Sequence, residues 1–169
     1  QEDGIYLGHP STVLLEDGNT ILIVYPKGHG KGEVIYKRSE DGGKTWSNRL
    51  TVPPNWSSSK EVPTIHRVID EKGIKRIIMW SGLYPARLAV SEDDGATWSG
   101  LRPVGEWGGI VVMGSVVDLK TPGHYLAMFH DDGRFFTKDG KWTGIFTLYQ
   151  TNSTDGGLTW SHPFPIYQN

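Results

Sequence analysis

The sequence predicts an all-β fold built from repeated antiparallel units of four strands, and three observations predict it. An eight-residue pattern occurs three times along the chain. Glycine and proline are abundant, with 22 Gly and 10 Pro among 169 residues. No stretch places apolar residues at the i, i+3, i+4, i+7 spacing of an amphipathic helix. The Gly and Pro content exceeds the ~12% of average usage without reaching the low-complexity range, which implies many short elements joined by tight turns.

The repeated pattern is Ser-x-Asp-x-Gly-x-Thr-Trp, at residues 39–46, 91–98 and 153–160. Its residues suit a hairpin turn. The aspartate accepts bonds from backbone amides a few residues on, the glycine takes a positive φ, and the hydroxyls bond locally. The tryptophan folds back beneath the turn as an apolar plug. A calcium loop would need more oxygen ligands at alternating positions than each box offers.

The boxes begin at residues 39, 91 and 153, giving periods of 52 and 62 residues. Such periods fit a four-stranded unit of the β-propeller blade type with generous loops. In the first unit, strands are expected over 11–15, 20–25 and 33–38 before the box and over 50–52 after it, with a turn at Glu16-Asp17-Gly18-Asn19. In the second, strands over 64–69, 75–80 and 87–90 flank a turn at Asp70-Glu71-Lys72-Gly73. In the third, strands over 110–119, 124–130 and 145–151 flank a turn at Lys120-Thr121-Pro122-Gly123. The units span roughly 5–56, 57–107 and 108–169, and the extra length of the third lies mainly in 132–144.

Composition narrows the functional classes. Lys+Arg 17 against Asp+Glu 19 gives a formal charge of −2 with no basic block, so nucleic acid is not an expected partner. The absence of cysteine excludes disulfide scaffolds, thiolate metal sites and cysteine nucleophiles. No apolar run approaches the ~18 residues of a spanning helix, so no membrane partner is expected either. Residues 1–4 carry no targeting segment, which fits either a protein that is not exported or one whose signal has been removed. No cofactor is expected.

At its three boxes the sequence resembles the sialidase-like β-propeller superfamily, the BNR or Asp-box repeat proteins, in which the box joins the third and fourth strands of each blade. The resemblance spans nearly the whole chain and is more specific for fold than for activity, since such propellers include glycosidases and non-enzymatic receptors. It implies a six-bladed ring, of which three blades are half. Either the chain is the N-terminal half of a longer propeller, or a second copy supplies the remaining blades. The usual substrates of the superfamily imply a secreted or periplasmic location.

The resemblance also implies where a site would lie: on the rim opposite the boxes. That rim collects Tyr6, His9 and residues 26–33 from the first unit, Lys60, Glu61, residues 80–85 and Arg87 from the second, and Glu106, Trp107 and residues 130–134 from the third. Aromatics stack on a sugar ring, cations pair with its carboxylate, and a carboxylic acid protonates the leaving oxygen. The catalytic candidates are Asp131, Glu61 and His9, and the substrate contacts are Lys27, His29, Trp80, Tyr84, Arg87, His130 and Arg134. Trp80 and Trp107 also suit packing between units, and Asp131-Asp132-Gly133 also suits an ordinary turn. His66, inside a strand, reads as structural. His9, His29 and His130 match no compact metal motif, so no metal is expected.

Two features depart from the superfamily pattern. Its opening Arg-Ile-Pro run corresponds to Gly8-His9-Pro10, and Lys27 and His29 stand where the next arginine is expected. No catalytic arginine is carried over, and the nucleophilic tyrosine with its glutamate belongs to later blades. The expected function is a sialidase-like glycoside hydrolase acting on an acidic or sialylated glycan. The alternative is a non-catalytic propeller that binds glycan or protein.

Overall fold

A computed structural model describes residues 4, 6–28, 33–59, 62–106, 108–134 and 141–168. The chain forms three antiparallel meanders in sequence order. The first sheet contains β1 (Ser11–Leu14), β2 (Ile21–Pro26) and β3 (Val34–Ser39). The second contains β4 (Thr64–Ile69), β5 (Lys75–Ser81), β6 (Arg87–Ser91) and β7 (Arg102–Pro103). The third contains β8 (Val112–Asp118), β9 (Tyr125–Asp131), β10 (Thr147–Ser153) and β11 (Phe164–Gln168). In each sheet neighbouring strands are consecutive in sequence, as short turns require.

One local expectation is corrected. Residues 50–52 form no strand: the Leu50 amide donates to Tyr36 O at 3.0 Å, but the first sheet ends at β3. A short 3-10 helix, Pro54–Ser58, follows instead, with a proline at its start where a missing N–H does no harm. Its Trp56 is fully buried and supplies the apolar mass that a fourth strand would have brought.

The boxes fold alike. Asp41 accepts from the Thr45 amide at 2.9 Å and from Thr45 Oγ1 at 2.6 Å, while Ser39 Oγ donates to it at 2.8 Å. Asp93 and Asp155 hold the same three groups of their own boxes. In each box the serine hydroxyl oxygen also accepts the glycine amide at 2.9 Å. Hydrogen bonds from Thr45 hold the Asp41 carboxyl down at about 2. Asp155→Ala removes the acceptor for two amides and two hydroxyls. At ~1 kcal/mol each with partial compensation by water, the expected loss is roughly 2–3 kcal/mol, read as a lower urea midpoint.

The sheets stack in series. One core cluster lies between the first and second sheets, around Leu22, Tyr36, Trp56 and Met79. Another lies between the second and third, around Trp80, Leu88, Phe129 and Trp160. The second sheet is thus covered on both faces, and β5 is continuously buried from Ile77 to Ser81. The first strands lie side by side, β4 between β1 and β8: Ser11 Oγ on β1 accepts the Ile65 amide at 3.0 Å, and Tyr125 Oη, at the start of β9, accepts the Ile69 amide at 2.7 Å.

His66 on β4 bonds Thr64 Oγ1 at 3.1 Å through Nε2, and burial pulls its imidazole down to about 4. The folded state therefore prefers the neutral ring. Stability is full above the ordinary histidine value near 6.5 and is lost as pH falls from there to about 4. The depression corresponds to roughly 3 kcal/mol. In His66→Gln, the fall in urea midpoint across that window is expected to disappear.

Candidate functional site

Strand direction sorts the loops onto two ends. The boxes share one end with the turns joining β1 to β2, β4 to β5 and β8 to β9. The opposite end carries the starts of β1, β4 and β8, the ends of β2, β5 and β9, and the loops that follow them. Most of the described candidates stand at that opposite end, because each precedes a first strand or borders the gap between a second and a third.

In the first sheet His9 is exposed, takes a left-handed φ of 52°, and lies with its ring centroid 6.2 Å from that of Tyr6. Lys27 is bridged through its backbone to Leu7, and its Nζ lies 3.7 Å from Glu33 Oε1. His29 and Glu61 lie outside the described residues, as do Lys60 and Trp107.

In the second sheet Trp80 is wholly buried, with its ring 5.1 Å from that of Trp160. The expectation that it contacts substrate is corrected: at that depth it packs the second sheet against the third. Tyr84 is 70% exposed on the loop that follows β5. That loop is stapled to the entry of the third sheet, since Leu83 and Ile110 exchange backbone hydrogen bonds and the Ala86 amide donates to Gly108 O at 2.9 Å. Arg87 is half-buried and clamps the 3-10 helix, donating to Ser58 Oγ at 2.7 Å and Ser58 O at 3.1 Å. Burial lowers its guanidinium below the ordinary arginine value. Its bonds serve the connector between the first two sheets.

The third sheet supplies the densest group. Asp131 is 1% exposed, and its Oδ2 accepts the Gly133 amide at 2.9 Å. The carboxylate braces the 131–133 turn from within, so direct contact with a ligand is not what its placement provides. Tyr149 is raised by burial first and by the charge of Asp131 second. Asp132 is the more accessible acid and holds Arg134 through an Oδ1 to Nε contact of 2.8 Å. His130 stacks on Phe146 with centroids 5.9 Å apart.

The same loop presents a residue that the sequence reading passed over. Trp142 is 69% exposed, yet its indole N–H donates to Asp132 O at 3.0 Å. An exposed aromatic plane held at a fixed angle is the feature that sugar stacking requires. A signal was present in Lys141-Trp142-Thr143-Gly144, a tryptophan before a glycine within the long 132–144 insertion.

Three open clefts of about 390, 410 and 380 Å³ lie at the other, box-bearing end. Two occupy corresponding places, beside Thr45 and Trp46 of the first box and beside Thr97 and Trp98 of the second. Their repetition marks them as products of the box geometry. Among the described residues no three His, Asp or Glu side chains gather as a metal site.

No protein-family model matches the chain, and no curated protein matches it. Solved structures do. An α-L-arabinofuranosidase from Podospora anserina, in complex with cellotriose, aligns over 100% of this chain and 54% of its own, with a TM-score of 0.62 and 16% identity. A Dyadobacter fermentans protein of unknown function aligns over 98% of this chain and 56% of its own, with a TM-score of 0.60 and 16% identity. A polysaccharide lyase described as an ulvan lyase covers 96% of this chain and 44% of its own, with a TM-score of 0.52 and 11% identity. The chain spans about half the length of these structures. At such identities the likeness establishes a shared all-β fold.

Proposed function

We propose that the three sheets are blades of a β-propeller, and that the rim opposite the boxes engages a glycan through the loops after β5 and β9. The observation that carries this reading is Trp142, an exposed plane anchored on Asp132, beside the Asp132–Arg134 ion pair. Tyr84 adds a second exposed ring on the same end. An aromatic platform with a carboxylate and a guanidinium at its edge matches the apolar face and polar rim of a sugar. Two of the similar structures act on or hold carbohydrate, an arabinofuranosidase with cellotriose and a polysaccharide lyase, which supports a glycan as the ligand.

The proposed activity is sialidase-like hydrolysis of an acidic glycan, with Asp132 as the accessible carboxyl group and Arg134 as the partner for an anionic substituent. The non-catalytic reading is favoured by one specific pair of observations: Gly8 stands in place of the superfamily's arginine, and Asp131 faces inward. An assay on sialosides, other acidic glycosides and arabinofuranosides, run beside glycan-array binding, separates the two. Turnover supports the hydrolase, and binding without turnover supports the receptor. Neither turnover nor binding overturns the glycan reading. Trp142→Ala is expected to weaken binding by about tenfold, the ~1.4 kcal/mol of one stacked ring, with an unchanged melting temperature.

A further inference from the structure

The loop that follows β5 and the loop that follows β9 belong to one hydrogen-bonded surface, because residues 108–111 run between them. On one side Leu83 and Ile110 exchange backbone hydrogen bonds, and the Ala86 amide donates to Gly108 O at 2.9 Å. On the other side the Val111 amide donates to His130 O at 3.2 Å, and Val112 pairs with His130. Two backbone spacings of about 4.8 Å therefore separate the two loops, roughly 10 Å in all. Gly108 and Gly109 bring no side chain to the strip between them.

Each edge of the strip carries an exposed ring on a fixed backbone. Tyr84 is 70% exposed. The second sheet has a neighbour on both faces, so this exposure belongs to the loop and owes nothing to where the sequence begins or ends. Leu83 before it takes a left-handed φ of 59°, a conformation that persists in an L residue where the surroundings impose it, here through the bonds with Ile110. On the far edge Trp142 donates its indole N–H to Asp132 O, and the Thr143 amide donates to Gly133 O at 3.2 Å. A Cβ at Gly133 would overlap Thr143 Oγ1, so the two limbs of this loop are in close contact.

We propose, resting on the glycan reading above, that the strip is a groove for an internal stretch of a polysaccharide, whose successive sugars cross from Trp142 on the third sheet to Tyr84 on the second. A site for one terminal sugar closes around it and buries most of its surface. Here both rings stay about 70% exposed and the floor between them lacks side chains, so nothing encloses a single sugar and contact accumulates only along a chain. The ion pair of Asp132 and Arg134 stands at the Trp142 edge, where it meets the hydroxyl and carboxylate substituents of the sugar stacked there.

Calorimetric titration of the purified chain with fragments of polygalacturonate, alginate and arabinan, from single sugars to hexamers, tests the groove. Affinity for one of these series is expected to rise about tenfold or more from the single sugar to the hexamer, the gain from a second stacked ring. Tyr84→Ala and Trp142→Ala, both at exposed positions, are each expected to weaken hexamer binding about tenfold with an unchanged melting temperature. The double variant is expected to bind the hexamer no better than the single sugar. Affinity that does not depend on fragment length overturns the groove, as does a Tyr84→Ala variant that binds the hexamer like the parent, and both results leave the glycan reading intact. A hexamer of none of the three series binding also overturns it, and the glycan reading then rests on its own array.

Discussion

Trp56→Ala is expected to lower the unfolding free energy by about 3–5 kcal/mol, the range for a buried tryptophan replaced by alanine. Trp56 is 0% exposed and sits between the first two sheets. Its ring meets Trp98 edge-on at 5.3 Å and Tyr36 at 6.5 Å. Its indole N–H donates to Ser99 O at 3.3 Å. Alanine leaves a cavity bounded by two further aromatic rings that are themselves fixed, one by its box and one by the bond from Tyr36 Oη to Gly95 O. The site therefore has little means of collapse. Trp56→Phe keeps much of the volume and is expected to recover more than half of the loss. Urea unfolding followed by circular dichroism reads both, and a loss below 1 kcal/mol for the alanine variant would show that the aromatic cluster does not join the sheets.

Gly95→Ala is expected to cost roughly 2–4 kcal/mol although it adds a single methyl group. Gly95 has φ +81°, a conformation that costs an L residue about 1–2 kcal/mol. The added Cβ would also overlap Tyr36 Oη and Leu22 Cδ1, and overpacking of a tight core costs typically 1–3 kcal/mol. The two contributions can be separated within the same molecule. Gly42 in the first box has φ +70° and open space around its Cβ position, so Gly42→Ala carries the backbone strain alone. The difference between the two variants measures how tightly the second box is seated on the first sheet. Equal losses would mean that this seating contributes nothing.

The boxes were legible because their chemistry is local. Asp41, Asp93 and Asp155 bond groups within four residues, so the residue pattern alone specifies the turn. The strands before them were legible from alternation, and most expected bounds fall close to those observed. The missing strand at 50–52 was not legible, because Leu50 to Val52 have the composition of a strand and differ only in lacking a continuous ladder. What displaced it, the 3-10 helix with Trp56, depends on contacts with Ser99 and Leu101 more than forty residues away.

The site divides in the same way. Strand order and turn positions place His9, Lys27, Tyr84, His130 and Arg134 at one end of the sheets, and that placement follows from connectivity. Burial separated candidates that the sequence treats alike. Trp80 and Trp142 are both tryptophans at the edge of a loop, yet one is 0% and the other 69% exposed. Asp131 and Asp132 are neighbours, and only the tertiary fold turns the first inward and leaves the second near solvent.

What the sequence by itself determined is the repeat: three Ser-x-Asp-x-Gly-x-Thr-Trp turns, the antiparallel strands around them, and the end of each sheet to which every loop belongs. These rest on hydrogen bonds and side-chain alternation within a few residues. Only the tertiary structure decided which faces are covered. Burial depends on the neighbour that a face meets across the seam: Trp80 is sealed between the second and third sheets, whereas Trp142 stands exposed on its loop.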